Sequence, residues 1–216
     1  MALDYFQQQL QNIYEIEIDH SVEDFLITDK VLADYLSVNK SNKNEERLLI
    51  SEYDGGMDLS LYISAEVYQH LNDSHPINLI KQGMHSEFCL MLEGVSHFLY
   101  VVWNAYHHKQ VTLLEMELQA EIDKFILMQN LIDNEKDNDA IDALRNWLFE
   151  NNHYGSGLDA DELQRYEQAN YYAAKYCMAL QQNYKLSGLN QNLLNDLRRL
   201  YRMSQQEKMR YINKLN

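Results

Sequence analysis

The spacing of apolar positions along this chain changes character at about residue 63. Upstream, Leu48-Leu49-Ile50 and Met57-Asp58-Leu59-Ser60-Leu61-Tyr62-Ile63 flank Asp54-Gly55-Gly56, and the second run alternates apolar and polar side chains with a period of two. Alternation sends successive side chains to opposite faces of a strand, and an Asp-Gly turn between two such runs predicts a hairpin. Tyr14-Glu15-Ile16-Glu17-Ile18-Asp19 alternates in the same way. It is expected to add a third strand to a small antiparallel sheet, because an isolated hairpin is barely stable in water.

After Ile63 everything reads as helix, since Pro76 is the only proline and start signals recur ahead of periodic apolar runs. Thr112-x-x-Glu115, Asp159-x-x-Glu162 and Ser204-x-x-Glu207 each set a capping oxygen three residues before a carboxylate, satisfying amides that the first helical turn leaves without partners. Helices are predicted near 29–37, 64–72, 76–82, 86–108, 112–133, 138–150, 159–184, 190–203 and 204–214. The fold class is therefore mostly α (α+β): a helical bundle carrying a small N-terminal antiparallel hairpin or three-stranded sheet. A chain of 216 residues suits one domain, with a strand-containing portion at 1–63, a helical portion at 64–216 and a flexible break near 151–157.

The long apolar helix at 86–108 carries one narrow polar stripe. At about 100° per residue, Ser86, Glu93, Ser96, His97, Tyr100, Asn104, His107 and His108 fall within roughly 60° of one line, and nearly all the rest is apolar. So wide an apolar arc predicts a central helix packed on several sides. On the next helix the polar residues form two opposed groups. Glu115, Gln119, Asp123 and Asn130 read as a wet face, which turns Glu117, Glu121 and Lys124 toward protein. Only a short turn around Lys109-Gln110-Val111 separates the helices, so an antiparallel pair brings Glu117 and Glu121 level with Asn104, Tyr100 and His97.

This registration makes Glu93, His97, Tyr100, Glu117, Glu121 and Lys124 a candidate buried polar site. Buried charges must be paired, neutralised or metal-bound. Three uses compete: a structural network around Lys124, a pocket for a small polar or cationic ligand, and a metal site with Glu93, His97, Glu117 and Glu121 as ligands. The pair here is Glu93-x-x-x-His97, whereas ferritin-like di-metal bundles use Glu-x-x-His. The true matches, Glu17/His20 and Glu150/His153, lie in a strand-like segment and at a helix end, and that family is not assigned. His107-His108 at a helix end read as solvent-exposed.

Composition narrows the function without naming it. A formal charge of −15 repels polyphosphate and disfavours nucleic acid, except through a basic C-terminal region that includes Arg198, Arg199, Arg202, Lys208 and Arg210. The simpler expectation is that this region docks on the chain's own acidic body. Phosphate loops and nucleophile elbows are absent, no cofactor is implied, and no leader or membrane span is recognised. Cys89 and Cys177 lie among apolar neighbours and suggest neither a disulfide nor a catalytic thiol, which fits the cytoplasm.

Two functions remain. One is a non-catalytic interaction or regulatory protein that joins another protein or itself through the tyrosine-bearing helix (Tyr166, Tyr171, Tyr172, Tyr176), which predicts a shallow surface. The other is an enzyme or a small-ligand or metal-binding protein with its site between helices 86–108 and 112–133, which predicts perturbed acids in a convergent polar cluster.

Overall fold

A computed structural model describes residues 2–37, 45–72, 75–132, 138–150, 158–184 and 189–215. The expected break near 151–157 lies outside the described residues. Among the described residues, ten α-helices and a three-stranded sheet follow in the order α1 (Ala2–Tyr14), β1 (Leu26–Ile27), α2 (Lys30–Leu36), β2 (Glu46–Tyr53), β3 (Gly56–Ile63), α3 (Ala65–Asn72), α4 (Pro76–Lys81), α5 (His85–Tyr106), α6 (Leu113–Ile132), α7 (Asn138–Phe149), α8 (Ala160–Asn183), α9 (Gln191–Tyr201) and α10 (Gln205–Asn213). The mostly α, α+β class is thus the observed one.

The hairpin forms in the expected register, with Tyr53 opposite Gly56 and Gly55 at φ +86° in the turn, where a side chain would be strained. The third strand is not Tyr14–Asp19. Tyr14 ends helix α1, whose Leu3, Phe6, Leu10 and Ile13 are buried at helical spacing. Ile16 and Ile18 are buried without joining the sheet, which explains their alternation. Gln7 fastens this stretch to α1: its Nε2 donates to His20 O at 2.8 Å, and its Oε1 accepts from Val22 N at 2.8 Å. The third strand is Leu26–Ile27, which pairs parallel to β3, so the sheet is mixed rather than antiparallel.

All three expected capping pairs are present. Thr112 and Glu115 exchange bonds at 3.0 and 3.1 Å, and Asp159/Glu162 and Ser204/Glu207 close capping boxes. Helix α5 is the centre of the molecule, contacting α1, α3, α4, α6 and both long strands. It is long and apolar enough to cross a membrane, yet 83% of its most apolar window is buried inside the protein. Helix α6 lies between α5 and α8.

The basic C-terminal region is largely engaged by the chain's own body. Arg198 donates to Ile13 O at 2.8 Å and Asn12 O at 3.3 Å, and Arg202 donates to Glu15 O at 3.2 Å. These bonds satisfy carbonyls at the C-terminal end of α1. Arg199 lies over the Tyr211 ring and Lys208 is fully buried.

Candidate functional site

The two polar groups of α6 are both inside the protein. Glu115, Gln119 and Asp123, expected to face water, are 4%, 1% and 1% exposed. With α5 and α8 packed on either side of α6, and Tyr14 of α1 and Lys208 of α10 reaching its remaining face, little of the helix is left to solvent. The stripe on α5 splits accordingly: Glu93 and His97 turn to one polar cluster, Ser96 and Tyr100 to another.

The first cluster gathers five of the six expected residues. Lys124 Nζ lies 2.7 Å from both Glu93 Oε2 and Glu121 Oε1. His97 Nε2 lies 3.6 Å from Glu117 Oε2, as the antiparallel register requires. Two members were not foreseen. Glu46, the first residue of β2, brings Oε1 to 3.7 Å from His97 Nδ1, and Arg165 of α8 brings Nε to 3.7 Å from Glu117 Oε1. Among the described residues, four carboxylates therefore face three cationic side chains.

Gly94 is the sequence signal for Glu46. A Cβ there would stand 2.8 Å from Leu61 Cδ1 and 3.1 Å from Glu46 Cγ, so the glycine lets the hairpin lie against the α5 backbone. A lone glycine inside an apolar helical run marks such a close approach. Nothing comparable in the sequence marks Arg165.

Burial and charge oppose each other throughout this cluster. Burial works to strip the His97 proton, but the carboxylates of Glu117 and Glu46 prevail and hold its pKa well above the usual imidazole value. Burial likewise opposes the Lys124 charge, and Glu121 and Glu93 overcome it. Burial tends to raise the Glu93 pKa, but Lys124 and His97 bring it below the ordinary carboxylate value. Glu46 and Glu121 are left raised, chiefly by burial.

The pairing is also incomplete. Among the described residues, the buried Glu46 Oε1 and His97 Nε2 have no hydrogen-bond partner, since separations of 3.6–3.7 Å exceed the reach of such a bond. Glu46, Glu93 and His97 each present a ligand atom, all within 4.8 Å of one another, as a metal site requires.

Tyr100 belongs to the second cluster. Its hydroxyl donates to Glu115 Oε1 at 3.5 Å, and Lys208 Nζ sits 4.5 Å over its ring. Asp123 lies at the heart of this cluster. Tyr14 OH and Gln119 Nε2 donate to its Oδ1, and Ser96 Oγ donates to Oδ2 at 2.6 Å. Lys208 Nζ donates to Gln119 Oε1 at 3.1 Å. Burial lifts the Asp123 pKa to about 6 against these hydrogen bonds and lowers that of Lys208 to about 8. With its carboxylate saturated by donors, this cluster ties α1, α5, α6 and α10 together.

His107 and His108 are exposed as expected, His107 donating Nδ1–H to Trp103 O. Cys89 and Cys177 are free and buried, and burial pushes the Cys89 thiol up to about 12, which suppresses a thiolate. An open cleft of 640 Å³ is walled in part by Glu15, Glu17, Trp103, Arg198 and Arg202, but its arginines already serve α1 carbonyls.

The fold and this cluster define an α+β protein with a helical core built around buried charge. Comparisons with models of protein families, with curated proteins and with solved structures return no match to this chain.

Proposed function

We propose that this chain is a cytoplasmic binding protein that takes up a small cation among Glu46, Glu93, His97 and Glu117. The observation that carries this reading is the unmatched buried pair, Glu46 Oε1 and His97 Nε2, in a cluster whose carboxylates outnumber its cations. Buried polar atoms without partners are uncommon, and an excess of buried carboxylate attracts positive charge. The free, buried cysteines are in keeping with the cytoplasm.

Melting the protein with guanidinium, methylammonium and divalent chlorides tests the reading, because a ligand that binds only the native state raises the melting temperature. At least one cation is expected to raise it for the wild type and not for Glu93→Gln. No shift from any of them at millimolar concentration rejects it.

A second reading, self-association, draws on helix α8. Leu163, Tyr171 and Met178 are 38%, 58% and 44% exposed at spacings of about two helical turns, forming an outward apolar stripe. Tyr176 is buried, so only part of the expected tyrosine surface faces out. Light scattering of wild type and Tyr171→Glu separates a dimer from a monomer; a wild-type monomer at high concentration rejects this reading.

A further inference from the structure

We infer that the cation is a single divalent first-row metal ion held by Glu46, Glu93 and His97, with Glu117 positioning the imidazole from its far side. This rests on the cation-site reading above and narrows it to a metal and a ligand set.

The spacing of His97 and Glu46 is the first support. Their Nδ1–Oε1 separation is 3.7 Å, beyond the roughly 3.2 Å of an N–H···O bond. Two donors bound at about 2.1 Å to one tetrahedral ion stand roughly 3.4 Å apart. The pair is therefore spaced for an ion between its atoms rather than a proton. Glu46 Oε1 is buried and has no hydrogen-bond partner among the described residues. Glu93 completes a group whose ligand atoms all lie within 4.8 Å, and its side chain, 23% exposed, leaves a way in from solvent.

The other side of the ring faces a carboxylate. A metal-bound histidine usually donates its second N–H to a carboxylate, which fixes tautomer and ring orientation. Glu117 Oε2 stands 3.6 Å from Nε2, too far for that bond in the metal-free protein, so the imidazole has to approach it by a few tenths of an ångström when the ion binds; its other oxygen is 3.7 Å from Arg165 Nε. Glu117 is thus a positioning residue and not a ligand. Lys124 lies 2.7 Å from both Glu93 and Glu121, but only Glu93 brings a ligand atom within 4.8 Å of those of His97 and Glu46, so Glu121 is not a ligand either. The set foreseen from the α5–α6 pair alone exchanges two helical carboxylates for one from the hairpin.

The donors are two carboxylate oxygens and one imidazole nitrogen. That set suits Mn²⁺, Fe²⁺, Co²⁺ or Zn²⁺ better than Ca²⁺, which takes six to eight oxygens, or Cu(I), which favours sulfur. When the ion binds Nδ1, the proton on that nitrogen leaves to solvent. The buried cluster gains one positive charge, and four carboxylates then meet an equal opposite charge.

Co²⁺ titration of the metal-free full chain, followed by visible absorption, tests the inference. One Co²⁺ per chain with tetrahedral-type bands is expected. Glu46→Gln and Glu117→Gln are each expected to weaken binding about 10–100-fold, while His108→Ala leaves it near the wild-type value. Far-UV circular dichroism checks that each variant folds, and the wild-type titration decides alone if Glu46→Gln does not. No Co²⁺ bands in the wild type, equal binding by Glu46→Gln, or loss in His108→Ala overturns the metal assignment. If guanidinium or methylammonium raises the melting temperature and Co²⁺ does not bind, the metal assignment falls and the cation site stands. If neither binds, both fall.

Discussion

Tyr14, the last residue of α1, donates its hydroxyl to Asp123 in the middle of α6, across 109 residues of sequence. The phenol ring also stacks on Tyr201 with centroids 4.2 Å apart. One side chain thus joins α1, α6 and α9. Tyr14→Phe keeps the stack and removes the donor, leaving Asp123 with Gln119 and Ser96. A loss of about 1–3 kcal/mol is expected, since hydrogen bonds to charged groups exceed neutral ones. Urea unfolding measures it, and an unchanged midpoint would show that the bond adds nothing to stability.

Lys208 gives stability a pH dependence with a definite sign. Its pKa falls from 10.5 when unfolded to about 8 when folded, mainly through burial. Between those values the unfolded chain holds more protons, so stability rises with pH and is lost as pH falls toward about 8. The full effect is on the order of 3 kcal/mol. Lys208→Met is expected to abolish this slope. The difference between wild-type and Lys208→Met unfolding free energies from about pH 8 to about 9.5 checks it, because the buried thiols of Cys89 and Cys177, raised when folded, add an opposing slope common to both proteins.

Gly94→Ala reverses an ordinary expectation. Alanine in a helix interior normally stabilises by about 1 kcal/mol relative to glycine. Here the new Cβ meets Leu61 Cδ1 at 2.8 Å and Glu46 Cγ at 3.1 Å. A destabilisation of about 1–3 kcal/mol is expected, together with weaker cation binding because Glu46 is pushed away. Melting and titration of the same sample test both.

The imidazole of His97 in the metal-free protein reports the balance around it. Burial disfavours its charge, and Glu117 and Glu46 restore it, so its pKa is held well above the usual value. Stability from this source is complete below the unfolded pKa and disappears as pH rises through the raised folded one. Glu117→Gln is expected to lower the His97 pKa, a shift that NMR titration of the ring protons reads directly.

The helices were legible because their caps and apolar spacings are local, as at Thr112, Asp159 and Ser204. The facing of Glu117 with His97 was legible too, since a short turn fixes the register of two antiparallel helices. The roles of Tyr14 and Asp123 were not. Alternation around Ile16 and Ile18 resembles a strand wherever an extended segment buries every second residue, paired or unpaired. Asp123 looked wet because a helix can expose only what its neighbours leave open, and the covering residues Tyr14 and Lys208 lie 109 and 85 residues away along the chain. Glu46 was hidden for the same reason. A strand-borne carboxylate reaches a helix-borne imidazole only through the docking of the hairpin.

The guanidinium groups of Arg198 and Arg202 close carbonyls of α1 from 185 and 187 residues downstream. A ribosome adding about 5–20 residues per second needs roughly 10–40 s to travel that distance. Through that interval the end of α1 is without these partners, and Tyr14 also waits for its stacking partner Tyr201. During synthesis, α1 emerges long before these partners and is finished only after them. A nascent chain halted before α9 is therefore expected to leave the end of α1 open to proteases, although α1, α5 and α6 have all been made.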